Sequence, residues 1–446
     1  MDVRTSFLSL AATIGIAGGG CVVALGPAYR QGLREAEPHR PPIRLDDTVA
    51  LGEATLDRQA LITAVLARSP DVEAARAAWR AALAKVPQAT AAEDPMVAYQ
   101  IAPLSVVGDA PFGQVVRVEQ RLPVPGQRAL AGDVALAEAD AVRGDEADVR
   151  LRLALMASNT FDDYYLVERA LEINRHHREL MAGIREAAAG QYAAGKTSQQ
   201  DPIQADSELA RIDLERIQLE ADRQVVVAQL NGLLHRDLDA ALPPSPPRLA
   251  IPEVQVQGGD LDAVAVRDRP ELRGVEAQAR RGEAARRLAV RSRWPVVSVM
   301  GEYNGMWDTP EHRWMLGVSI SVPLQGAVRR GAEAEAIATI DRASLLREQL
   351  VDQIGVEVST ARDRLDAARR SLTLYDMRLV PTAQARVDAA LTGYVADQNE
   401  FQAVIEAEHD RSDALLERER ALCDIYRRAA DLDRALGRVP GTGGNP

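Results

Sequence analysis

Few side chains in this chain are grouped as chemistry requires. The doublet His176-His177 followed by Glu179 is the most metal-like cluster. Neighbours in sequence project to different sides of a helix, so an exposed polar helix face accounts for it. Glu406, with Glu408 and Asp410 close behind, reads as a solvated acidic helix face. Asp201-Pro202 fits a helix N-cap followed by proline at the first helical position, and Tyr394 reads as a packing residue near a helix end. There is no Gly-x-x-x-x-Gly-Lys-Ser/Thr loop for phosphates, no His-Glu-x-x-His helix and no Cys-x-x-Cys pair. The sequence therefore predicts no enzyme, no metal centre and no cofactor. Two cysteines, Cys21 and Cys423, are too few for a disulfide framework. Cys423 lies on a helical pattern and reads as buried rather than reactive.

Cys21 is placed differently. It follows an apolar run from Phe7 to Gly20 that begins after Arg4 and ends in Gly18-Gly19-Gly20. The run is too short to span a bilayer but suits the apolar part of an export signal, with small residues at the cleavage site. A cysteine at that point resembles a bacterial lipoprotein signal, in which the thiol is acylated. An ordinary cleavage site beside an incidental cysteine is the other reading. The chain has 446 residues, of which 46% are hydrophobic and 26% charged, enough to bury a sizeable core. A formal net charge of −12 argues against a nucleic-acid partner, which needs a basic face.

The elements that must position these residues occur twice. Pro70, Pro95, Pro123 and Gly126 have counterparts 200 residues later at Pro270, Pro295, Pro323 and Gly326. Arg68-Ser-Pro-Asp-Val answers Asp268-Arg-Pro-Glu-Leu, and Arg121-Leu-Pro-Val-Pro-Gly answers Ser321-Val-Pro-Leu-Gln-Gly. Each copy reads as a helix, a strand pair and two long helices, the order of a tandem duplication. The predicted organisation is a signal at 1–20, a tether at 21–55, a first repeat at 56–242, a proline-rich linker at 243–259, a second repeat at 260–437 and a tail at 438–446.

Periodicity supplies the long helices. Val351, Ile354, Val358, Ala361, Leu365, Ala368, Leu372, Tyr375 and Leu379 recur at alternating steps of three and four, a heptad seam. Leu209, Ile212, Leu219, Val226, Leu230 and Leu233 keep the same rhythm, interrupted by Arg216 and Arg223. The strands alternate instead. Val97, Tyr99 and Ile101 fall on one face of Met96–Ala102, and Val116, Val118 and Leu122 on one face of Gln114–Leu122. In the second copy Val297, Val299 and Tyr303, and Trp314, Leu316, Val318, Ile320 and Val322, are the apolar sets. Such strands suit a transmembrane barrel, apolar toward lipid and polar toward a lumen, with Tyr99, Phe112, Tyr303, Trp307 and Trp314 near the bilayer boundary. They equally suit an ordinary sheet packed on helices. Four strands cannot close a barrel, so a membrane reading demands that several chains share one.

In this order and number, the marks resemble the TolC-like outer-membrane efflux proteins. The marks are the helix starts at Pro70 and Pro270, the strand-to-helix turns Leu122–Gly126 and Val322–Gly326, and the helix-to-helix turns Gly190–Gly195 and Gly393–Asp397. The resemblance covers the mature chain. It implies a mainly α fold with a small β part: a homotrimer whose twelve-stranded outer-membrane β-barrel continues as a long α-helical coiled-coil periplasmic tunnel. It also implies outer-membrane lipid around the barrel, and a periplasmic adaptor and an inner-membrane pump of the resistance-nodulation-division type as partners. The chain would then be a passive exit duct for small solutes or metal ions. A structural coiled-coil lipoprotein or scaffold is the alternative. By resemblance, Tyr394 and Asp201 match a tie that closes the tunnel tip, Asn399 stands where that tie usually has an arginine, and Glu406 keeps one of two acidic ring positions, the other being Ala403.

Overall fold

A computed structural model describes residues 26–37, 51, 54–103, 113–252, 261–396 and 398–441. Cys21, the export signal, the stretch from Pro38 to Pro42, Phe112, Gly258-Gly259 and Asp397 lie outside the described residues. The described helices are α1 (Pro27–Glu35), α2 (Arg58–Arg68), α3 (Pro70–Thr90), α4 (Gln127–Ala193), α5 (Gln200–Leu233), α6 (Leu261–Asp268), α7 (Pro270–Arg291), α8 (Gly326–Leu374), α9 (Val380–Val395) and α10 (Phe401–Ala435). The strands are β1 (Met96–Ile101), β2 (Gln114–Leu122), β3 (Val296–Asn304) and β4 (Trp314–Ser321). The chain divides into two compact units, one of Met1–Pro38, Ala75–Glu146 and Glu271–Gln349, the other of His39–Ala74, Ala147–Pro270 and Leu350–Pro446.

The first unit carries the sheet. It is antiparallel in the order β1-β2-β3-β4, with the two copies joined along β2 and β3. The register places Val97 opposite Val118, Val116 opposite Tyr303, and Val299 opposite Val318, so the apolar sets read from each strand share one face. That face is not covered by helices. Leu316 is 95% exposed, and Val97, Tyr99, Val318 and Ile320 are exposed as well, which sets aside the ordinary sheet packed on its apolar side. The opposite face is polar, and on it Arg117 faces Glu302 across the β2–β3 ladder, Nη2 to Oε2 2.6 Å. A cross-strand pair of opposite charge supports the register without any apolar contact.

Part of the segment read as a tether is helical. Pro27 occupies the first turn of α1, where its missing N–H costs nothing. Tyr29 and Ala36 bury against a cluster with Trp79, Leu83 and Val86 of α3, and Gly32 lets α1 approach closely, since a Cβ there would sit 3.2 Å from Leu83 Cδ2.

The second unit holds most of the buried core. One cluster joins Leu61, Ile62 and Val65 of α2 to Ala154, Ala157, Phe161 and Tyr164 of α4 and Leu230 of α5. The start of the proline-rich linker is fastened to this unit: Tyr164 Oη donates to the Pro243 carbonyl at 3.2 Å and the Leu56 N–H to that of Pro244 at 2.9 Å. The heptad seam is buried at Ile354, Val358, Ala361, Leu365, Ala368 and Leu372. It stops there, because Tyr375–Leu379 form a π-helical turn and Leu379 is exposed. Pro381 has no N–H, and its ring would press on the carbonyl four residues earlier. Widening the turn accommodates it, and the extra residue rotates the seam away from Leu379.

Candidate functional site

The residues singled out near the helical turns all lie in the second unit. There α4, α5, α9 and α10 bury Met181, Ile184, Ala205, Ile212, Val387 and Val404 together. The α4–α5 turn is closed by Gly195 at φ +70°, with the Lys196 N–H reaching the Gln191 carbonyl at 3.0 Å. A residue in this left-handed conformation is most cheaply glycine. At the α9–α10 turn the Gln398 N–H takes the Gly393 carbonyl at 2.8 Å.

Tyr394 and Asp201 meet across these turns. The Tyr394 hydroxyl donates to Asp201 Oδ2 at 2.9 Å, while its ring packs edge-on against Phe401 with centroids 5.3 Å apart. Burial first, then the bond to Asp201 and its charge, push the Tyr394 phenol up to about 12, so the hydroxyl stays a donor throughout the physiological range. Asp201 is not the N-cap. The helix begins at Gln200, placing Asp201 within its first turn, and the Ser198 hydroxyl accepts the Gln200 N–H at 3.1 Å instead. An acid in the first turn still complements the helix dipole, so both the dipole and Tyr394 use the same carboxylate.

Asn399 is not part of that contact. Its amide lies over Gly393, where a Cβ would be 2.1 Å from Nδ2. Its side chain makes no hydrogen bond among the described residues. Glu406 is exposed on α10 and accepts from Gln402 Nε2 at 3.2 Å one turn away. The neighbouring Glu408 is buried and paired with Arg411, Nη2 to Oε2 2.9 Å. The acidic run is thus split between the solvent and the bundle interior.

The histidine doublet splits in the same way. His176 is exposed near Glu179, whereas His177 is buried against His409, with ring centroids 5.5 Å apart. His409 Nε2 lies 2.6 Å from Glu208 Oε1, and Glu208 is itself buried. Nothing in the pattern around Glu208 or His409 marked them beforehand, since their partners come from other helices. His177 Nε2 is buried with no hydrogen-bond partner. Burial, then the nearby His409, with smaller effects of the same sign from Arg411 and His176 against that of Glu208, bring His177 down to about 4. Its folded pKa is below its unfolded value of about 6.5. The unfolded chain therefore binds the proton first, and stability present above pH 6.5 is lost as pH falls toward about 4. On the order of 3 kcal/mol rides on this one group. His177→Phe, which cannot protonate, is expected to flatten the acid limb of the stability profile measured by urea unfolding between these pH values. An unchanged acid limb would assign the acid sensitivity elsewhere.

Cys423 is fully buried, and burial pushes its thiol up, away from the reactive thiolate.

No protein-family profile matches the chain. The cobalt-zinc-cadmium resistance protein CzcC of Cupriavidus metallidurans is 26% identical over 313 residues, 66% of this chain and 69% of that protein. Among solved structures, the outer-membrane channel OprN superposes with a TM-score of 0.71 at 20% identity, covering 89% of this chain and 98% of its own. CusC, whose structures describe folding and transmembrane channel formation, superposes with a TM-score of 0.73 at 14% identity, covering 90% and 98%. The fold is that of outer-membrane channel proteins, and the resemblance read from the paired sequence marks is borne out.

Proposed function

We propose that this chain, which has the TolC-like outer-membrane channel fold, is the passive exit duct of a tripartite efflux system. It carries small solutes or metal ions outward without chemistry or an energy source of its own. The observation that supports this best is the sheet of the first unit. Its apolar face is exposed, and among the described residues the outer edges of β1 and β4 pair with no further strand. In hydrocarbon each unpaired backbone group costs several kcal/mol, so the sheet is stable in a membrane only if its edges are closed by other copies. Three copies give twelve strands, a barrel wide enough to hold water. Continuous helices such as α4, with 67 residues, then supply the wall of a periplasmic tunnel.

The partners follow from the same reading. The α4–α5 and α9–α10 turns form the periplasmic tip, where an adaptor and an inner-membrane pump of the resistance-nodulation-division type engage it. Tyr394 and Asp201 hold that tip closed, Asn399 is a bystander packed on Gly393, and Glu406 contributes to an acidic ring. Cys21 carries the lipid anchor. Divalent metal cations are the proposed cargo class, supported by the sequence relative whose name records resistance to cobalt, zinc and cadmium. A scaffold lipoprotein would have no use for a sheet that is polar on one face and bare on its apolar face.

Purified protein in mild detergent is expected to have the mass of three chains and to give ion conductance in planar bilayers. A monomeric mass together with silent bilayers would overturn the duct. Deleting the gene is expected to sensitise the host to zinc, cobalt or cadmium; unchanged tolerance to all three would move the cargo to another class.

A further inference from the structure

The duplication provides an internal control for what the fold itself requires. Positions 286–294 of the second copy carry Arg286, Arg287, Arg291, Arg293 and Trp294. The counterparts 200 residues earlier are Val86, Pro87, Ala91, Glu93 and Asp94. The same helix-to-strand passage is thus made once with four arginines and a tryptophan and once with two acids and no cation. Two of the four have partners within the fold, Arg293 in an ion pair with Glu333 and Arg291 on the Pro125 carbonyl, whereas Arg286 and Arg287 have none among the described residues.

In the structure these side chains gather at one end of the sheet. α7 ends at Arg291 and β3 begins at Val296, and the β2–β3 register places Leu122 opposite Val297, so this is the end where the helices join the sheet. An open cleft of about 810 Å³ is lined there by Arg286, Arg287, Arg291 and Glu283, with Val290 and Trp294 among its apolar wall. Arg291 is held in place, its Nε donating to the Pro125 carbonyl at 2.7 Å and its guanidinium 5.0 Å from the centre of the Trp294 ring. Arg286 and Arg287 are exposed and form no ion pair among the described residues. Trp294 is 56% exposed, and Leu324, in the β4–α8 turn at the same end, is 88% exposed.

We propose that this cleft binds the phosphate-bearing headgroup of an anionic phospholipid in the leaflet that faces the helices, with Arg286 and Arg287 on the phosphate and Val290 and Trp294 against the upper acyl chain. The inference rests on the duct reading, which puts the exposed sheet face in lipid. Charge complementarity selects this occupant: uncompensated guanidiniums pair with phosphate oxygens in a bidentate fork. Exposed tryptophan beside them is the residue type that settles at the boundary between headgroups and hydrocarbon. A peptide partner would not require the site to adjoin the bare apolar face. The first copy lacks the site, so each chain holds one.

The test uses the full-length protein and its Arg286→Gln/Arg287→Gln variant, each inserted into vesicles of mixed phosphatidylglycerol and phosphatidylcholine. Each is then extracted mildly, and its retained lipid is counted by native mass spectrometry. Each arginine near an anionic surface contributes roughly a factor of five, so the parent's preference for phosphatidylglycerol should fall on the order of thirtyfold in the double variant. Trp294→Ala should weaken retention of both lipids. Equal phosphatidylglycerol preference in parent and double variant overturns the proposal. Displacement of the lipid by inorganic phosphate alone does so too, because it marks a free-anion site. Photo-cross-linking between copies from a benzophenone side chain placed at position 294 also overturns it, since a second copy then covers the cleft. Carbonate-resistant association with the vesicles separates the two levels: a parent that does not insert fails the duct reading as well, and one that inserts without preference fails this inference alone.

Discussion

Arg58→Ala is expected to destabilise the helical unit by about 3–5 kcal/mol, the cost of leaving a buried charge without its partner. Arg58 on α2 forms an ion pair with Asp162 of α4, whose side chain is wholly buried. The guanidinium also donates to the Ser158 hydroxyl at 2.9 Å and is stacked between the rings of Phe161 and Tyr426, 4.4 and 4.2 Å from their centres. The second carboxylate oxygen of Asp162 is buried with no hydrogen-bond partner. Burial dominates here and holds the Asp162 carboxyl above the usual carboxylate range, with Arg58 pulling it back down. Removing Arg58 removes the larger of the two opposing charges around it, Arg427 being the lesser.

The sign with pH follows. A carboxyl raised in the folded state binds its proton more tightly there than in the unfolded chain, so the protein loses stability as pH rises from the unfolded value of about 3.9 through the folded one. Arg58→Ala raises the folded value further, and its deficit against the parent should shrink as the medium is acidified. Asp162→Asn alone should cost less, since Arg58 keeps its two rings and Ser158. Arg58→Met combined with Asp162→Leu should recover most of the loss, because well-packed apolar residues often replace a buried pair without penalty. Urea unfolding of the four proteins compares these losses directly. A single Arg58→Ala within about 1 kcal/mol of the parent would show that the pair is solvated in practice.

That pair illustrates what the sequence hides. Arg58 and Asp162 are 104 residues apart and neither breaks a pattern. Features set by local periodicity were legible: the alternation of β1 to β4, the seam from Ile354 to Leu372, and the glycine turn at Gly195 each depend on residues within a turn or two. Features set by the approach of distant elements were not. α1 was hidden because the prolines from Pro38 to Pro42 suggested an extended tether, while its helix is fixed by Trp79 and Leu83. Leu379 kept the heptad rhythm yet is exposed, since Pro381 shifts the helix locally. Asp201-Pro202 satisfied the N-cap pattern, but the helix starts two residues earlier than that pattern implies and frees the carboxylate for Tyr394. Only the duplication itself carried long-range information, because two copies of one unit must present equivalent surfaces.

Tyr394→Phe is expected to raise single-channel conductance, because it removes the hydroxyl that joins α9 to α5 at the proposed tip. The hydrogen bond to Asp201 is well formed at 2.9 Å and its donor is buried. A bond of this kind contributes about 0.5–1.5 kcal/mol, and more with a charged acceptor. Three copies acting on one closed state sum to roughly 1.5–4.5 kcal/mol if additive. A tip closed 99 times in 100 needs a shift of about 2.7 kcal/mol to be open half the time, so a loss in the middle of this range is visible as a change in open probability. Asn399 does not share the tie, since its amide is packed on Gly393 and its side chain makes no hydrogen bond among the described residues. Asp201→Asn keeps an acceptor but loses the charge, and should give a smaller increase. Phe401 and the apolar bundle around it remain in both variants, so the proposed trimer should stay intact while its tip loosens. Glu406→Gln changes charge without touching the tie and should alter cation preference and block by multivalent cations, leaving open probability alone. Conductance equal to the parent in both tie variants, in trimers of normal mass, would reduce the Tyr394–Asp201 contact to a packing detail of the helical turn.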